Sequence, residues 1–168
     1  MNNGNFAYRI RRKRTGTVLE IAAFGWPLRG FAAADWPTSP GAMRGDAAQQ
    51  PALLHFAPGR WLAPEPTPAL RALFAATASG GGGTVIDVSG KWETLSIAGP
   101  GATRLLACAL DIEAVLQGRD CAAVTLFDCP AIVARAADGF AVWVQASYAA
   151  DFMATAAQSG ATLARGPA

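Results

Sequence analysis

The stretch "SGGGGTVIDVSGKWETLSIAGPGATRLLACAL" (residues 79–110) places two glycine clusters around an apolar run, a layout that occurs in phosphate-binding loops. Such a loop follows GxxxxGK[ST], in which backbone amides surround the phosphates and the hydroxyl binds Mg²⁺. Gly90 and Lys91 supply the GK pair. Val85, however, stands at the first glycine position, and Trp92 replaces the Ser or Thr. Because an indole cannot ligate magnesium, the sequence argues against a P-loop.

The second glycine cluster, Gly99-Pro100-Gly101, follows an expected strand and opens an expected helix, as a dinucleotide-binding GxGxxG turn does. The third glycine of that pattern permits close packing of helix on strand, and Arg104 stands in its place. The preceding strand also belongs to an expected hairpin rather than to a parallel βαβ unit. No nucleotide is therefore expected here.

Side chains suited to hydrolysis are sparse. His55 is the only histidine, it alternates with apolar residues in "LLHFAPGRW", and no GxSxG nucleophile turn is present. Asp111 and Glu113 fall near a helix end, where capping or solvation is the expected role. Asp87 lies between two apolar residues and is a candidate buried carboxylate. The sequence therefore predicts no catalytic residue on this chain.

The three cysteines, Cys108, Cys121 and Cys129, lack the paired spacing of zinc ligands. Free cysteines commonly behave as small buried hydrophobes, and that is the role predicted for all three. No metal site is expected.

Positive charge is concentrated near the start of the chain, although the formal net charge is only +2. Residues 1–14 contain five cations and no acid: Arg9, Arg11, Arg12, Lys13 and Arg14. No basic face or aromatic RNA-binding motif accompanies them, so nucleic acid is not the expected partner. We expect residues 1–16 to form a basic arm that is either solvated or docked on an acidic partner subunit.

The length of 168 residues suits one domain, predicted over residues 17–160 with a short tail at 161–168. No apolar run approaches the roughly 20 residues that span a bilayer, and the N-terminus lacks the apolar stretch of a signal peptide. A cytoplasmic protein without a membrane partner is expected.

Apolar periodicity and turn residues predict several strands and a few helices. Expected strands cover 17–25, 52–64 (broken at Pro58-Gly59), 84–89, 92–99, 121–128, 131–137 and 138–145. Helices are expected over 67–79, begun by Thr67 and Pro68, over about 100–110, and from Ser147 to Gly160, which would end the last helix. This order predicts an α+β fold, ferredoxin-like in character, with helices on one face of a mainly antiparallel sheet.

Residues 26–51 form an expected irregular segment with four prolines and three glycines. Long loops in compact domains often have a contact role. We expect this segment to meet a larger partner subunit through the apolar Trp26, Phe31 and Trp36, with Arg29 pairing to acidic partner residues. The alternative is that these aromatic side chains fold back onto the domain's own surface.

Several motifs in this order resemble the gamma subunit of heterotetrameric sarcosine oxidase and, more distantly, the folate-binding domain of aminomethyltransferases. The resemblance covers about residues 52–158. It rests on Pro58, Trp61 and Leu62 in "HFAPGRWLAP", Asp87-Val88-Ser89, the turn from Leu95 to Ala102, Leu105-Leu106, Asp111-Ile112, and the strand Phe140–Val144 before Tyr148.

The resemblance implies a non-catalytic structural subunit of a four-subunit flavoenzyme that oxidatively demethylates sarcosine or a related N-methyl amino acid. In that family the one-carbon unit passes to tetrahydrofolate. The FAD, FMN, NAD and folate sites lie on the larger subunits, and zinc lies on the delta subunit. Alpha, beta and delta subunits are thus the implied partners, and no cofactor or metal is expected on this chain.

The sequence departs from the folate-using relatives, which carry a GGxxDD hairpin after the strand that matches "AVTLF". Here the corresponding stretch is "LFDCPAIVARA", in which Asp128 is the only acid. Without a positioned carboxylate, folate chemistry lacks its acid–base group. A free-standing folate-binding or one-carbon protein, a monomeric binding protein, and the gamma subunit of a related N-methyl amino acid dehydrogenase remain the alternatives.

Overall fold

The computed structural model describes residues 7–13, 16–23, 36–45, 52–79 and 83–165. The strands are β1 (Arg9–Lys13), β2 (Val18–Ala23), β3 (Met43–Arg44), β4 (Leu53–Ala57), β5 (Arg60–Pro64), β6 (Gly83–Asp87), β7 (Trp92–Ala98), β8 (Cys121–Leu126), β9 (Cys129–Ala136) and β10 (Gly139–Gln145). The helices are α1 (Pro68–Ser79), α2 (Ala102–Leu106), α3 (Ile112–Val115) and α4 (Ala149–Arg165), the last preceded by a 3₁₀ turn (Ala146–Tyr148).

The strands form two five-stranded antiparallel sheets. The first has the order β1-β7-β10-β9-β8 and the second β3-β4-β5-β2-β6. The predicted α+β class is confirmed, with two sheets where one was expected. Helices cover the outer faces of both sheets, so the chain is built in four layers.

Three apolar clusters define these layers. Between the first sheet and helices α2–α4 lie Leu95, Ile97, Leu105, Leu106, Val133, Val142 and Phe152. Between the two sheets lie Val18, Leu54, Leu62, Trp92, Cys121, Ile132 and Trp143. Between the second sheet and α1 lie Ile21, Trp36, Leu53, Trp61 and Phe74.

Strand β10 shows why the chain needs both sheets. Alternate residues of a strand point to opposite faces. Phe140, Val142 and Val144 pack under the helices, whereas Ala141 and Trp143 pack against the second sheet. A continuous apolar run is typical of a strand that is covered on both sides.

Local signals place the first helix correctly. The Oγ1 of Thr67 accepts a hydrogen bond from the Leu70 amide at 3.2 Å, and Pro68 is the first helical residue. The helix expected from Pro100 to about residue 110 is shorter, because α2 ends at Leu106 and a turn follows. Asp111 then caps α3, its Oδ1 accepting from the Ala114 amide at 3.2 Å.

The last helix differs from the prediction at both ends. Ser147 makes no helix cap, because a 3₁₀ turn precedes α4. Gly160 does not end α4, which continues to Arg165. A β-carbon at Gly160 would collide with the phenol of Tyr8, so this glycine makes room for a packed ring rather than stopping the helix.

The basic segment predicted as an arm contributes a strand of the first sheet. Residues Arg9 to Lys13 pair with Ala98 to Thr94 of β7, and Ile10 packs against the cluster under the helices. The sheet therefore begins upstream of residue 17.

Candidate functional site

Residues 26–51 were predicted to contact a partner subunit. The part of this segment that the structure describes, residues 36–45, packs on the chain itself. Trp36 is 2% exposed and lies 5.2 Å from Trp61 and 5.7 Å from Phe74, measured between ring centroids. The Nε1 of Trp61 donates to the carbonyl of Pro37 at 3.0 Å. Trp36 thus takes the arrangement of the alternative, in which the aromatic residue folds back. Trp26, Arg29 and Phe31 lie outside the described residues.

The rest of this segment joins the two sheets. The carbonyl of Gly41 accepts the amides of Asp120 and Cys121 at the start of β8, at 2.8 and 3.0 Å. The amide of Gly41 donates to the carbonyl of His55 in β4 at 2.7 Å, and that of Met43 donates to Asp120 Oδ2 at 3.1 Å. Residues 41–43 therefore connect β8 of one sheet to β4 of the other.

The single histidine is a core residue. His55 is 3% exposed and stacks on Trp61 with ring centroids 4.3 Å apart and an interplanar angle of 21°. Neither ring nitrogen has a hydrogen-bond partner among the described residues. Burial lowers the pKa of His55, and the backbone carbonyls of Pro37, Ser39 and Ala57 oppose this effect without forming hydrogen bonds of good geometry. At 3% exposure the ring is packed inside the fold, and its non-catalytic role stays a prediction.

The turn that resembled a dinucleotide fingerprint uses its amides within the protein. Gly99 has a φ of +107° and donates to the carbonyl of Asp138 at 3.0 Å. Gly101 donates to Ala7 at 3.0 Å, and Ala102 donates to Gly99 at 3.0 Å. A phosphate site needs such N–H groups free to point at the ligand. This turn is therefore a strand-to-helix connection.

Lys91, the lysine of the GK pair, belongs to a charged cluster between the sheets. Its Nζ lies 3.1 Å from Glu20 Oε2 and 4.9 Å from the ring centroid of Trp92. The guanidinium of Arg60 pairs with the other oxygen of Glu20 and lies over the ring of Phe56. The Glu20 side chain is only 8% exposed. Burial, and then the positive charge of Arg60, lower the pKa of Lys91.

The other acids have structural roles. Asp87, the candidate buried carboxylate, is exposed, which corrects that expectation. Its Oδ1 accepts from the amide and the hydroxyl of Ser89, at 2.9 and 2.5 Å, and these hydrogen bonds lower the pKa of Asp87. Glu113 forms an ion pair with Arg135 at 2.9 Å on the surface. No pair of these carboxylates is arranged for acid–base chemistry.

The stretch "LFDCPAIVARA", which the sequence comparison set against the folate-handling hairpin, contains a two-residue turn. Phe127 and Asp128 connect β8 to β9 with positive φ angles of 49° and 61°. Positive φ at both central residues characterises the tight type I′ hairpin. Phe127 is buried under α4, whereas Asp128 is exposed, so the single acid of this turn points away from the core.

The three cysteines are all free thiols, and they differ in burial. Cys121 and Cys129 are buried, as predicted, but Cys108 is exposed, which corrects the prediction for that residue. Among residues 7–13, 16–23, 36–45, 52–79 and 83–165, no three His, Cys, Asp or Glu side chains are grouped as metal ligands. Within the same ranges, no helix has the length and apolarity needed to cross a membrane.

Comparison with known proteins finds similarity at the level of structure. No protein-family profile and no curated protein sequence matches the chain. The structure is similar to a chain of the heterotetrameric sarcosine oxidase from Corynebacterium sp. U-96, which was solved in complex with pyrrole 2-carboxylate. The TM-score is 0.78 at 22% sequence identity, and the match covers 98% of this chain and 89% of that chain. The chain therefore shares the fold of a sarcosine oxidase chain.

Proposed function

We propose that this chain is a non-catalytic structural subunit of a heterotetrameric flavoenzyme of the sarcosine oxidase kind. The observation that carries the proposal is the match over nearly the whole of both chains, 98% and 89%, to one chain of such a heterotetramer. The fold is the shared property, and the subunit role is our inference from it.

The polar groups of the chain support a structural role. The candidate groups of the sequence are engaged by the fold: Lys91 pairs with Glu20, the Gly99–Gly101 turn uses its own amides, and His55 is stacked in the core. Catalytic acids and bases need to lie within hydrogen-bond reach of a substrate. None of these three groups is presented in that way.

We propose the gamma position in the complex, with alpha, beta and delta subunits as partners. FAD, FMN, NAD, tetrahydrofolate and zinc would then be held by those subunits, in a cytoplasmic assembly. The substrate would be sarcosine or a related N-methyl amino acid, with the one-carbon unit passed to tetrahydrofolate. The residue motifs given above, from Pro58 to Tyr148, are what favours the gamma position.

Co-expression tests this proposal. Residues 1–168 with a C-terminal tag would be produced with the candidate large subunits, purified through the tag, and analysed by size-exclusion chromatography and an absorbance scan. We expect stoichiometric partner subunits and a flavin spectrum in the eluted complex. The same chain expressed alone is the control, and its purified fraction should be colourless.

A different result would favour the free-standing one-carbon protein. That protein would be a stable monomer, would bind tetrahydrofolate in a calorimetric titration without any partner, and would recruit none in co-expression. This combination would overturn the subunit proposal.

A further inference from the structure

The two sheets are joined along one edge. At that edge, residues 41–43 are hydrogen-bonded both to the start of β8 in the first sheet and to His55 of β4 in the second. The thiol of Cys121 also points at the carbonyl of Ala42, 3.6 Å away. Strands β8 and β4 are therefore held together, and this edge of the sandwich is closed.

The opposite edge is formed by β1 and β6, which are the outer strands of the two sheets. The four residues from Val88 to Lys91 connect β6 of the second sheet directly to β7 of the first. This short connection places β6 across from β7, whose outer neighbour is β1. Among the described residues no strand pairs with the outer side of β1 or of β6.

The inner wall that β1 contributes at this edge is basic. Paired residues of antiparallel strands lie on the same face of a sheet. Arg9 and Arg11 pair with Ala98 and Ser96, on the face where Trp92 packs between the sheets. Both arginines are exposed. Their positive charges therefore border the space between the two sheets.

The burial of β7 confirms that the sheets separate here. On the face turned to the second sheet, Trp92 and Thr94 are buried, whereas Ser96 and Ala98 are only half-buried. Since alternate residues share one face, cover by the second sheet decreases along the strand. The half-buried positions, Ser96 and Ala98, are those that pair with Arg11 and Arg9.

The facing wall presents one apolar side chain, Ile86, beside the ion pairs of Glu20 with Arg60 and Lys91. Ile86 of β6 pairs with Glu20 of β2, and Glu20 lies two residues from Val18, which packs between the sheets. Ile86 therefore lies on the inner face of the second sheet, yet its side chain is 52% exposed. One exposed apolar side chain is ordinary by itself, but on the inner face of an unpaired edge strand it is available to a segment that docks there.

We propose that this open edge, defined by β1 and by Ile86 of β6, docks an extended acidic segment of a partner subunit. The inference rests on the proposed function, because it assigns the surface through which the chain joins its complex. The occupant would add a strand to the unpaired side of β1, its carboxylates would meet Arg9 and Arg11, and one apolar side chain would cover Ile86.

Three properties of the edge favour that occupant. An edge strand presents a row of unpaired backbone groups, which an extended segment can satisfy as an added strand. Arginine binds carboxylates in a two-pronged geometry, so acidic side chains match Arg9 and Arg11. The remainder of the chain carries nine cations against 12 acids, so the basic charge is local to this edge and does not form the extended stripe that nucleic acid requires.

The test uses the co-expressed complex with charge reversal at the edge. Arg9→Glu/Arg11→Glu should reduce the amount of partner subunit recovered through the C-terminal tag by roughly tenfold or more, since like charges would then face each other. Ile86→Ser should reduce recovery to a smaller extent. Recovery with the wild-type chain should fall when the wash is raised from about 0.1 M to about 0.5 M salt, because exposed ion pairs are screened.

The matched control is Arg104→Glu/Arg119→Glu, which makes the same change in net charge on α2 and near the closed edge. Each variant is also expressed alone, and its thermal melting by circular dichroism checks that it folds. If Arg9→Glu/Arg11→Glu does not fold, Arg9→Gln/Arg11→Gln takes its place. If the wild-type complex forms and the β1 variants recover as much partner subunit as the control variant, the docking site is overturned and the proposed function is not. Absence of any wild-type complex overturns the proposed function and the docking site together. Binding of a single-stranded 20-nucleotide DNA that the β1 variants abolish would assign the edge to nucleic acid instead.

Discussion

The imidazole of His55 lies parallel to the indole of Trp61, with 4.3 Å between ring centroids and 21° between ring planes. The two residues are paired across the β4–β5 hairpin, on the face that packs beneath α1. The only histidine of the chain is therefore held in an apolar layer, where burial lowers its pKa. A buried neutral imidazole couples protein stability to pH.

We expect stability to fall as pH decreases from about 6.5, the pKa of unfolded histidine, towards the lower pKa of folded His55. The unfolded chain takes up a proton there that the folded chain does not, so unfolding becomes more favourable by up to about 1.4 kcal/mol per pH unit. His55→Phe keeps an aromatic ring on Trp61 and should remove this slope between pH 7 and pH 5.5. Urea unfolding at each pH measures it, and parallel curves for the wild type and the variant would contradict the assignment.

The buried carboxylate of Glu20 should be worth more than a surface ion pair. Glu20→Gln removes the negative charge that offsets the repulsion between Arg60 and Lys91. We therefore expect a loss of about 2 kcal/mol in the free energy of unfolding. The matched control is Glu113→Gln, which breaks the exposed pair with Arg135 and should cost less than about 1 kcal/mol. Denaturant unfolding at pH 7 compares the two variants. Equal losses would show that the position between the sheets adds nothing.

Local sequence signals found most of the elements, but not β1, β3, α3 or the division into two sheets. Thr67-Pro68 at the start of α1 and Pro58-Gly59 between β4 and β5 act within a few residues, so the sequence places them well. Alternation shows which residues of a strand are buried, but it does not show what covers them. The continuous apolar run from Phe140 to Val144 was the available indication that β10 is covered on both faces.

The charged cluster and the edge strand depend on contacts between distant parts of the chain. Glu20 pairs with Arg60 and Lys91, which follow it by 40 and 71 residues. The local sequence "TVLEIAA" gives no indication of either partner. Residues 9–13 carry four cations in five positions, which is typical of a solvated arm. Edge strands tolerate such charges because their outer side meets solvent, so composition alone does not separate an arm from an edge strand.

Gly160 should show coupling to Tyr8. In the middle of a helix, Gly→Ala normally stabilises by about 1 kcal/mol. A β-carbon at Gly160 would collide with the Tyr8 phenol, so in the wild type the gain should be lost as the ring is displaced. Gly160→Ala in a Tyr8→Ala background should recover it. Thermal unfolding of the four proteins in this double-mutant cycle measures the coupling, and an equal effect of Gly160→Ala in both backgrounds would contradict the contact.

The three cysteines should react with alkylating reagents in a defined order. The thiolate is the reactive form, and burial followed by the charge of Asp120 raises the pKa of Cys121 to about 12. Burial, together with Asp151 and Asp128, also raises the pKa of Cys129. At pH 8 we therefore expect iodoacetamide to modify one thiol per folded chain, at the exposed Cys108, as measured by mass spectrometry. Cys108→Ser should leave the folded chain unmodified, and guanidinium should expose the remaining thiols to the reagent. Rapid modification of Cys121 in the folded chain would contradict this order, because it would mean that the closed edge between β8 and β4 opens in solution.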